Sequence, residues 1–238
     1  MPPTPPPVEP TPRTPAGLWP RTVAWLVDTG IVGLMAMCIS MGLPGGRWQA
    51  LAGRWQALGT TMGRWMREAA ERGDDPFAML TALYAADGPI RPAIHGVVAS
   101  LHAWLWPPLL VFVLLGALYW PALERGEKSA TLGKRLLGLE ARDARGVRLS
   151  WPRALARHAA GALSWLSLNI GHLLAASSPG HRALHDRVAG TQVVWRGAPR
   201  KVPAWGWLLV MIAMLLPLAV AGAAVAALSS AMQAALLG

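Results

Sequence analysis

Leu18-Trp19-Pro20-Arg21-Thr22-Val23-Ala24-Trp25-Leu26-Val27-Asp28-Thr29-Gly30-Ile31-Val32-Gly33 opens an apolar stretch that runs on to Leu43 and carries one carboxylate inside it. The stretch exceeds the roughly 20 residues that one membrane crossing needs. An aspartate near the middle of such a helix costs about 2.5–3.5 kcal/mol on insertion scales, so it requires a partner or a purpose. Asp28 is therefore the first candidate functional residue. Arg21 precedes it by seven residues, close to two turns, which puts both on one helix face about 10 Å apart along the axis. The arginine falls at the water interface and the aspartate inside the bilayer.

Composition agrees with a membrane class. The chain is 53% hydrophobic and 14% charged, where a soluble domain carries roughly 25% charged residues. Further apolar runs follow: Ala103–Leu123 with Tyr119 as its one ionisable side chain, Ala159–Ser178 with His172, and Ala204–Leu237 with Pro217 as a kink. Of the 13 tryptophans, Trp19, Trp104, Trp106, Trp120, Trp151, Trp205 and Trp207 mark the ends of these runs, the level at which indole rings settle in a bilayer. The Pro- and Thr-rich beginning lacks the apolar mass to pack a core and reads as a disordered tail. Asp28 and that tail argue against a cleaved signal segment. Cys38 is the one cysteine, which rules out an internal disulfide and a paired-cysteine metal site.

The net charge of +10 comes from basic residues at the edges of membrane segments, so anionic lipid headgroups and the orientation rule account for it and no nucleic-acid partner is expected. The 22 lysines and arginines divide 11 to 11 if all four runs cross. They divide 16 to 6 if the third run enters and leaves on one side, and the orientation bias then becomes clear, with a cytoplasmic N-terminus. Asn169-Ile170-Gly171-His172 suits the apex of such a re-entrant hairpin, because protein can bury non-helical backbone at membrane depth. An ordinary fourth span is the other reading. In the hairpin reading Asn169 and His172 lie near the level of Asp28 and become its expected polar partners; interhelical hydrogen bonding is the alternative role for both.

Between the first two runs lies a repeat, Gly46-Arg47-Trp48-Gln49-Ala50-Leu51-Ala52 followed by Gly53-Arg54-Trp55-Gln56-Ala57-Leu58-Gly59 and a shifted Gly63-Arg64-Trp65-Met66. Trp48, Leu51, Trp55, Leu58, Met62 and Trp65 recur at three-then-four spacing, the pattern of an external amphipathic helix. The repeat's glycines should make this helix marginal away from a surface. Alternation at Leu139–Arg142, Val147–Leu149 and Thr191–Trp195 suggests short strands forming a small cytoplasmic β element.

Four ordered motifs resemble the RDD family of bacterial membrane proteins, named for one arginine and two aspartates: Arg21 to Asp28, Thr131-Leu132-Gly133-Lys134-Arg135-Leu136-Leu137-Gly138-Leu139, Ser150-Trp151-Pro152-Arg153-Ala154-Leu155, and Leu184-His185-Asp186-Arg187-Val188-Ala189-Gly190-Thr191. The resemblance implies that Arg21, Asp28 and Asp186 are the name-giving residues and carries no settled activity beyond a suggestion of transport. The Trp-rich external loop and the extra C-terminal run depart from the family pattern. The expected fold is an all-α membrane protein of three to four membrane helices, the third run a hairpin or a span. Its organisation is a Pro-rich tail (1–17), an RDD-like membrane domain (18–195) and a C-terminal membrane helix (204–238). Within it follow a span (18–43), an external amphipathic loop (44–98), a span (99–123), a cytoplasmic segment (124–153), a membrane run (154–178) and a cytoplasmic segment (179–203).

His181 and Asp186 are five apart, a spacing that some membrane acyltransferases use to orient a histidine base, and His181 with His185 could bind metal beside Asp186 or His158. Headgroup and backbone bonding is the preferred role for all of them, so no catalytic residue, cofactor or metal is expected. Two functions stay open. In one, Arg21, Asp28, Asn169, His172, Arg182, His185, Asp186 and Arg187 line a polar path for an ion or small solute, with a homo-oligomer expected because few helices line a pathway alone. In the other the same residues hold the fold together, and the protein is a non-catalytic accessory or scaffold in the bacterial inner membrane that docks a membrane protein partner through its basic cytoplasmic face or its Trp-rich helix. Reporters fused at Arg145 and after Lys201 should both score cytoplasmic and one at Asp74 external; opposite sidedness of Arg145 and Lys201 would eliminate the hairpin.

Overall fold

A computed structural model of the chain describes residues 13–43, 45–85, 87–166, 170–177 and 179–238. Among the described residues three helices are long and apolar enough to cross a membrane: α1 (Leu18–Met41), α4 (Arg91–Arg125) and α9 (Ala204–Leu237). Between α1 and α4 lie α2 (Arg47–Arg72) and α3 (Pro76–Tyr84); α5 (Leu132–Leu136), β1 (Leu139–Asp143), α6 (Trp151–Leu166), α7 (Ile170–Ser177), α8 (Leu184–Ala189) and β2 (Thr191–Trp195) fill the interval to α9. The second long helix thus starts at Arg91, eight residues before the expected boundary at 99. The third apolar run holds two helices of 16 and 8 residues, each short of the roughly 20 residues of a crossing.

Two compact units can be distinguished, and each long helix contributes residues to both. The first comprises the described residues up to Val32 together with Leu114–Val210. Its centre is the antiparallel pair β1–β2, with Leu139 opposite Trp195 and Asp143 opposite Thr191. Ala16, Val23, Ala24, Leu137, Leu139, Val193, Trp195 and Val210 form its apolar core. Residues 1–12 of the expected disordered tail lie outside the described residues, but residues 13–17 join this unit and Ala16 lies in its core. The Trp195 N–H donates to the Thr14 carbonyl and the Ala16 N–H to the Val193 carbonyl, both at 2.9 Å, while Arg13 pairs with Glu140 at 2.7 Å. Val147–Leu149 is not a strand. Its neighbour Asp143 instead closes a turn, its carboxylate accepting the N–H groups of Arg145 at 2.9 Å and Val147 at 2.8 Å. The free edge of β1 is also occupied, since the Ala141 N–H donates to the Ser129 carbonyl at 2.7 Å.

Helices α6 and α7 fold back on each other, and a Cβ on Gly171 would meet Ser164 Oγ at 2.3 Å. Their surface is inverted relative to a water-soluble pair. Leu155, Leu163, Ile170 and Leu173 point outward, whereas Ala154, Arg157, Ala160, Ser164, Gly171 and Ala175 are buried.

The second unit comprises Gly33–Val113 and Met211–Gly238. Leu51, Trp55, Leu58, Met62 and Trp65 of α2 pack with Ile90, Val97 and Leu228; Trp48 is exposed beside Trp104, ring centroids 5.9 Å apart. The contacts set the directions. Trp48 meets Trp104 and Arg54 meets Gly96, so α2 runs antiparallel to α4. Trp55 donates to the Ala224 carbonyl at 2.8 Å and Gly63 meets Met232, so it runs parallel to α9.

Two of the repeat's glycines have a packing role that outweighs their weak helix propensity. A Cβ on Gly59 would lie 2.8 Å from Ala231 Cβ and the Leu228 carbonyl, and one on Gly63 would lie 2.2 Å from the Met232 carbonyl. Small residues spaced four apart let two helix backbones approach closely. By contrast a Cβ on Gly53 meets nothing within 4 Å. Gly63→Ala should therefore lower the unfolding free energy of the full chain in micelles by about 1–3 kcal/mol, while Gly53→Ala should leave it unchanged or raise it by about 0.5–1 kcal/mol; equal responses would refute the close approach.

Candidate functional site

Asp28 is 1% exposed. It belongs to a row in which every fourth residue of α1, Ala24, Asp28, Val32, Ala36 and Ser40, is buried while Leu34, Met35, Met37, Ile39 and Met41 face outward. Its partners come from two other segments. Oδ1 accepts the Tyr119 hydroxyl and the Gly133 N–H, both at 2.7 Å, and Oδ2 accepts the Thr131 hydroxyl at 2.5 Å. Tyr119 Oη in turn accepts the Leu132 N–H at 3.3 Å, which leaves its proton directed at the carboxylate. Glycine is required at position 133 because a Cβ there would lie 2.1 Å from the Ala24 carbonyl.

Of the expected partners of Asp28, His172 is elsewhere. Asn169 lies outside the described residues. His172 stands beside His185, ring centroids 5.0 Å apart, and Arg21 turns away toward Asp186. The physical reason is that residues 131–133 bring two donors to Asp28 with short, fixed geometry, while Arg21 finds a carboxylate of its own.

Arg21, Asp186, Arg157, Glu124 and Lys134 form one buried chain of alternating charge. Asp186, fully buried, pairs with Arg21 through Oδ2 and with Arg157 through Oδ1, and Oδ2 also accepts the Ala183 N–H at 2.9 Å. Arg157 continues to Glu124 through Nε at 3.0 Å and donates to Thr191 Oγ1 at 2.8 Å. Glu124 Oε1 takes Lys134 Nζ at 2.5 Å. Arg21 also donates to the His181 carbonyl. Arg182 lies at the edge of the network and donates to the carbonyls of Thr191 and Asp186, each at 3.2 Å. Arg187 points outward and is not part of the network.

This arrangement shifts the titration of its members. Burial alone would raise the Asp186 carboxyl, but Arg157 and Arg21 overcome that and hold it far below the usual carboxylate range. His185 is pushed well below the ordinary imidazole value, first by burial and then by Arg157. Its Nε2 lies 3.4 Å from Arg21 Nη2, and its buried Nδ1, like that of His172, has no hydrogen-bond partner among the described residues. Asp186 thus spends its oxygens on two arginines and does not orient His181, whose Nδ1 is 3.0 Å from the Ala175 carbonyl. Among the described residues no three His, Cys, Asp or Glu side chains gather as a metal site.

Six members of the two clusters were not singled out from the sequence: Tyr119, Glu124, Thr131, Lys134, Arg157 and Thr191. Arg157 carried a usable signal, a charge inside the helical run that begins at Trp151. Glu124 carried another, since an acid ending an apolar helix ten residues before Lys134 can reach it across a turn.

The RDD family model matches residues 15–190. The chain is also similar to the protein YxaI of Bacillus subtilis strain 168, described as uncharacterized, with 31% identity over 90 residues that cover 38% of this chain and 59% of that protein. The chain therefore spans less than two thirds of that relative. No solved structure matches.

Removing one partner of a buried ion pair strands the other charge and costs about 3–5 kcal/mol. Asp186→Asn should cost that much in unfolding free energy, in place of the 0–1 kcal/mol that a water-exposed pair gives; a loss under about 1 kcal/mol would mean that Arg21 and Arg157 are solvated. The depressed His185 gives a second test. The unfolded chain takes up the imidazole proton first, so the stability due to neutral His185 is complete above about pH 6.5 and declines as pH falls from there toward the folded value, with a slope of up to about 1.4 kcal/mol per pH unit. Thermal midpoints between pH 8 and 5 should follow this decline, and His185→Gln should flatten it.

Proposed function

The chain belongs to the RDD family, and we propose that it is a non-catalytic membrane scaffold whose buried charges hold the fold together. The observation that carries this reading is the occupancy of every carboxylate oxygen in the two clusters. Asp28, Asp186 and Glu124 each have both oxygens bonded to donors of the chain itself. A passing ion would have to displace these donors at a cost of several kcal/mol per stranded charge.

The scaffold lies in the bacterial cytoplasmic membrane with its N-terminus in the cytoplasm and α6–α7 as a re-entrant hairpin. Three arguments support this placement. The outward apolar face of α6 and α7 suits lipid contact, and both ends of the hairpin are tied together through Arg157–Asp186. With three crossings the lysine and arginine distribution becomes 16 to 6 on the two sides, the asymmetry that orientation by positive charge favours. The basic face binds anionic headgroups. Transport is the competing reading, favoured by the Nδ1 atoms of His172 and His185, which have no hydrogen-bond partner among the described residues, beside Arg21 and Arg157.

Flux measurements on the purified chain in vesicles, with sodium, potassium and proton gradients, separate the two. The scaffold reading expects no flux above that of empty vesicles, and expects Asp28→Asn to lower folding yield and thermal stability. Flux that disappears in Asp28→Asn or His172→Ala while the protein remains folded would establish the polar path instead.

A further inference from the structure

The second unit carries two surface features that fit each other. Helix α3 (Pro76–Tyr84) has no buried residue. It is fixed by Asp75, whose carboxylate accepts the N–H groups of Phe77 and Ala78 at 2.8 Å each, with Pro76 in the first turn. Phe77, Leu80 and Tyr84 lie at i, i+3 and i+7, hence on one face, and are 74%, 50% and 80% exposed. A nine-residue helix is marginal in water by itself. This one presents an aromatic and aliphatic ridge that no other described residue buries, and exposed Asp74, Asp75 and Asp87 flank it.

The second feature is a cavity of about 400 Å³ lined by Thr60, Arg64, Arg67, Ala235 and Gly238. It is open to the exterior, and its lining combines small residues at the end of α9 with two arginines one turn apart on α2. Among the described residues the ion pair recorded in this unit joins Arg72 to Asp74 and involves neither Arg64 nor Arg67. Acids flank the apolar ridge and two arginines line the cavity, so the two are complementary in charge.

Their heights agree as well. From the level of Trp48 and Trp104, α2 rises about 1.5 Å per residue, which places Thr60 about 18 Å and Arg67 about 28 Å above that level. Helix α3 leaves the end of α2 at Arg72, about 36 Å up, and returns to Arg91, about 20 Å up, so it occupies the same band as the cavity. Two copies in one membrane related by a two-fold axis along the membrane normal keep every residue at its own height. An isologous contact can then seat the ridge of each copy in the cavity of the other. The same heights put α3 well clear of the headgroups, and it lacks the basic residues of an interfacial helix.

We propose that this unit is a homodimerisation head in which α3 of one copy docks its Phe77–Leu80–Tyr84 face into the Thr60–Arg64–Arg67 cavity of a second copy. Arg64 and Arg67 face the acidic flanks of α3, and Phe77 or Tyr84 fills the cavity. The inference concerns α2, α3 and the end of α9, so it stands or falls separately from any solute flux.

The test uses the full chain in liposomes, with Cys38, its one cysteine, replaced by serine. Chains carrying Phe77→Cys are mixed with chains carrying Thr60→Cys and oxidised. A disulfide should form between the two kinds of chain and should be absent from the Phe77→Cys population alone. Single-molecule step counting should show dimers. Phe77→Asp and Arg64→Glu should each raise the dimer dissociation constant by about thirtyfold or more, the scale of a hot-spot residue, whereas exposed Gln49→Ala should not. An unchanged melting temperature in each variant shows that the fold survives. Monomers at all densities, a Phe77–Phe77 cross-link, or quenching of a label at position 77 by brominated acyl chains would each overturn the assignment.

Discussion

Arg157 is the group on which one half of the molecule depends. Its guanidinium joins Glu124, at the end of the second long helix, to Asp186, which also holds Arg21 from the first long helix. One side chain thereby ties α1, α4, α6 and α8 together, and Lys134 adds the segment that encloses Asp28. Each of these charges is costly to bury by itself and tolerable only with its partners in place. The arrangement therefore works as a specificity device. Chain segments more than a hundred residues apart in sequence have one mutual position in which no charge is stranded.

Asp28 extends the same logic deeper along α1. A carboxylate at that depth needs donors, and the chain supplies a phenol, a hydroxyl and a backbone N–H. The backbone donor explains why residues 131–133 approach α1 so closely and why residue 133 has no side chain. The second unit uses a different principle. There α2 and α9 meet through Gly59, Gly63 and Ala231, where van der Waals contact between backbones substitutes for charge. Charge sets the geometry of one unit and residue size that of the other.

Much of this was legible in the sequence. The long apolar runs, the tryptophan stripe of α2, the strands β1 and β2, and the importance of Arg21, Asp28 and Asp186 all follow from periodicity, composition or the family motifs. The pairing was not legible. Tyr119, Thr131 and Gly133 lie 91 to 105 residues from Asp28, and a backbone N–H leaves no mark in a sequence. Arg157 and Lys134 were read as interface charges, because the orientation rule counts signs and says nothing about partners. Glycines 59 and 63 were read through propensity alone, although their spacing of four also signals close approach. Residues 13–17 were assigned to the tail because their proline content masks a short edge of sheet.

A double-mutant cycle on Glu124 and Arg157 tests the central claim most directly. Unfolding free energies of the full chain in micelles would be compared for Glu124→Gln, Arg157→Met and the combination. If the buried network is one cooperative unit, each single change strands charge, and the double variant loses less than the sum of the two by about 2–3 kcal/mol. Additive losses within about 0.5 kcal/mol would show that the two residues act independently, and the account of a charge-locked scaffold would fail.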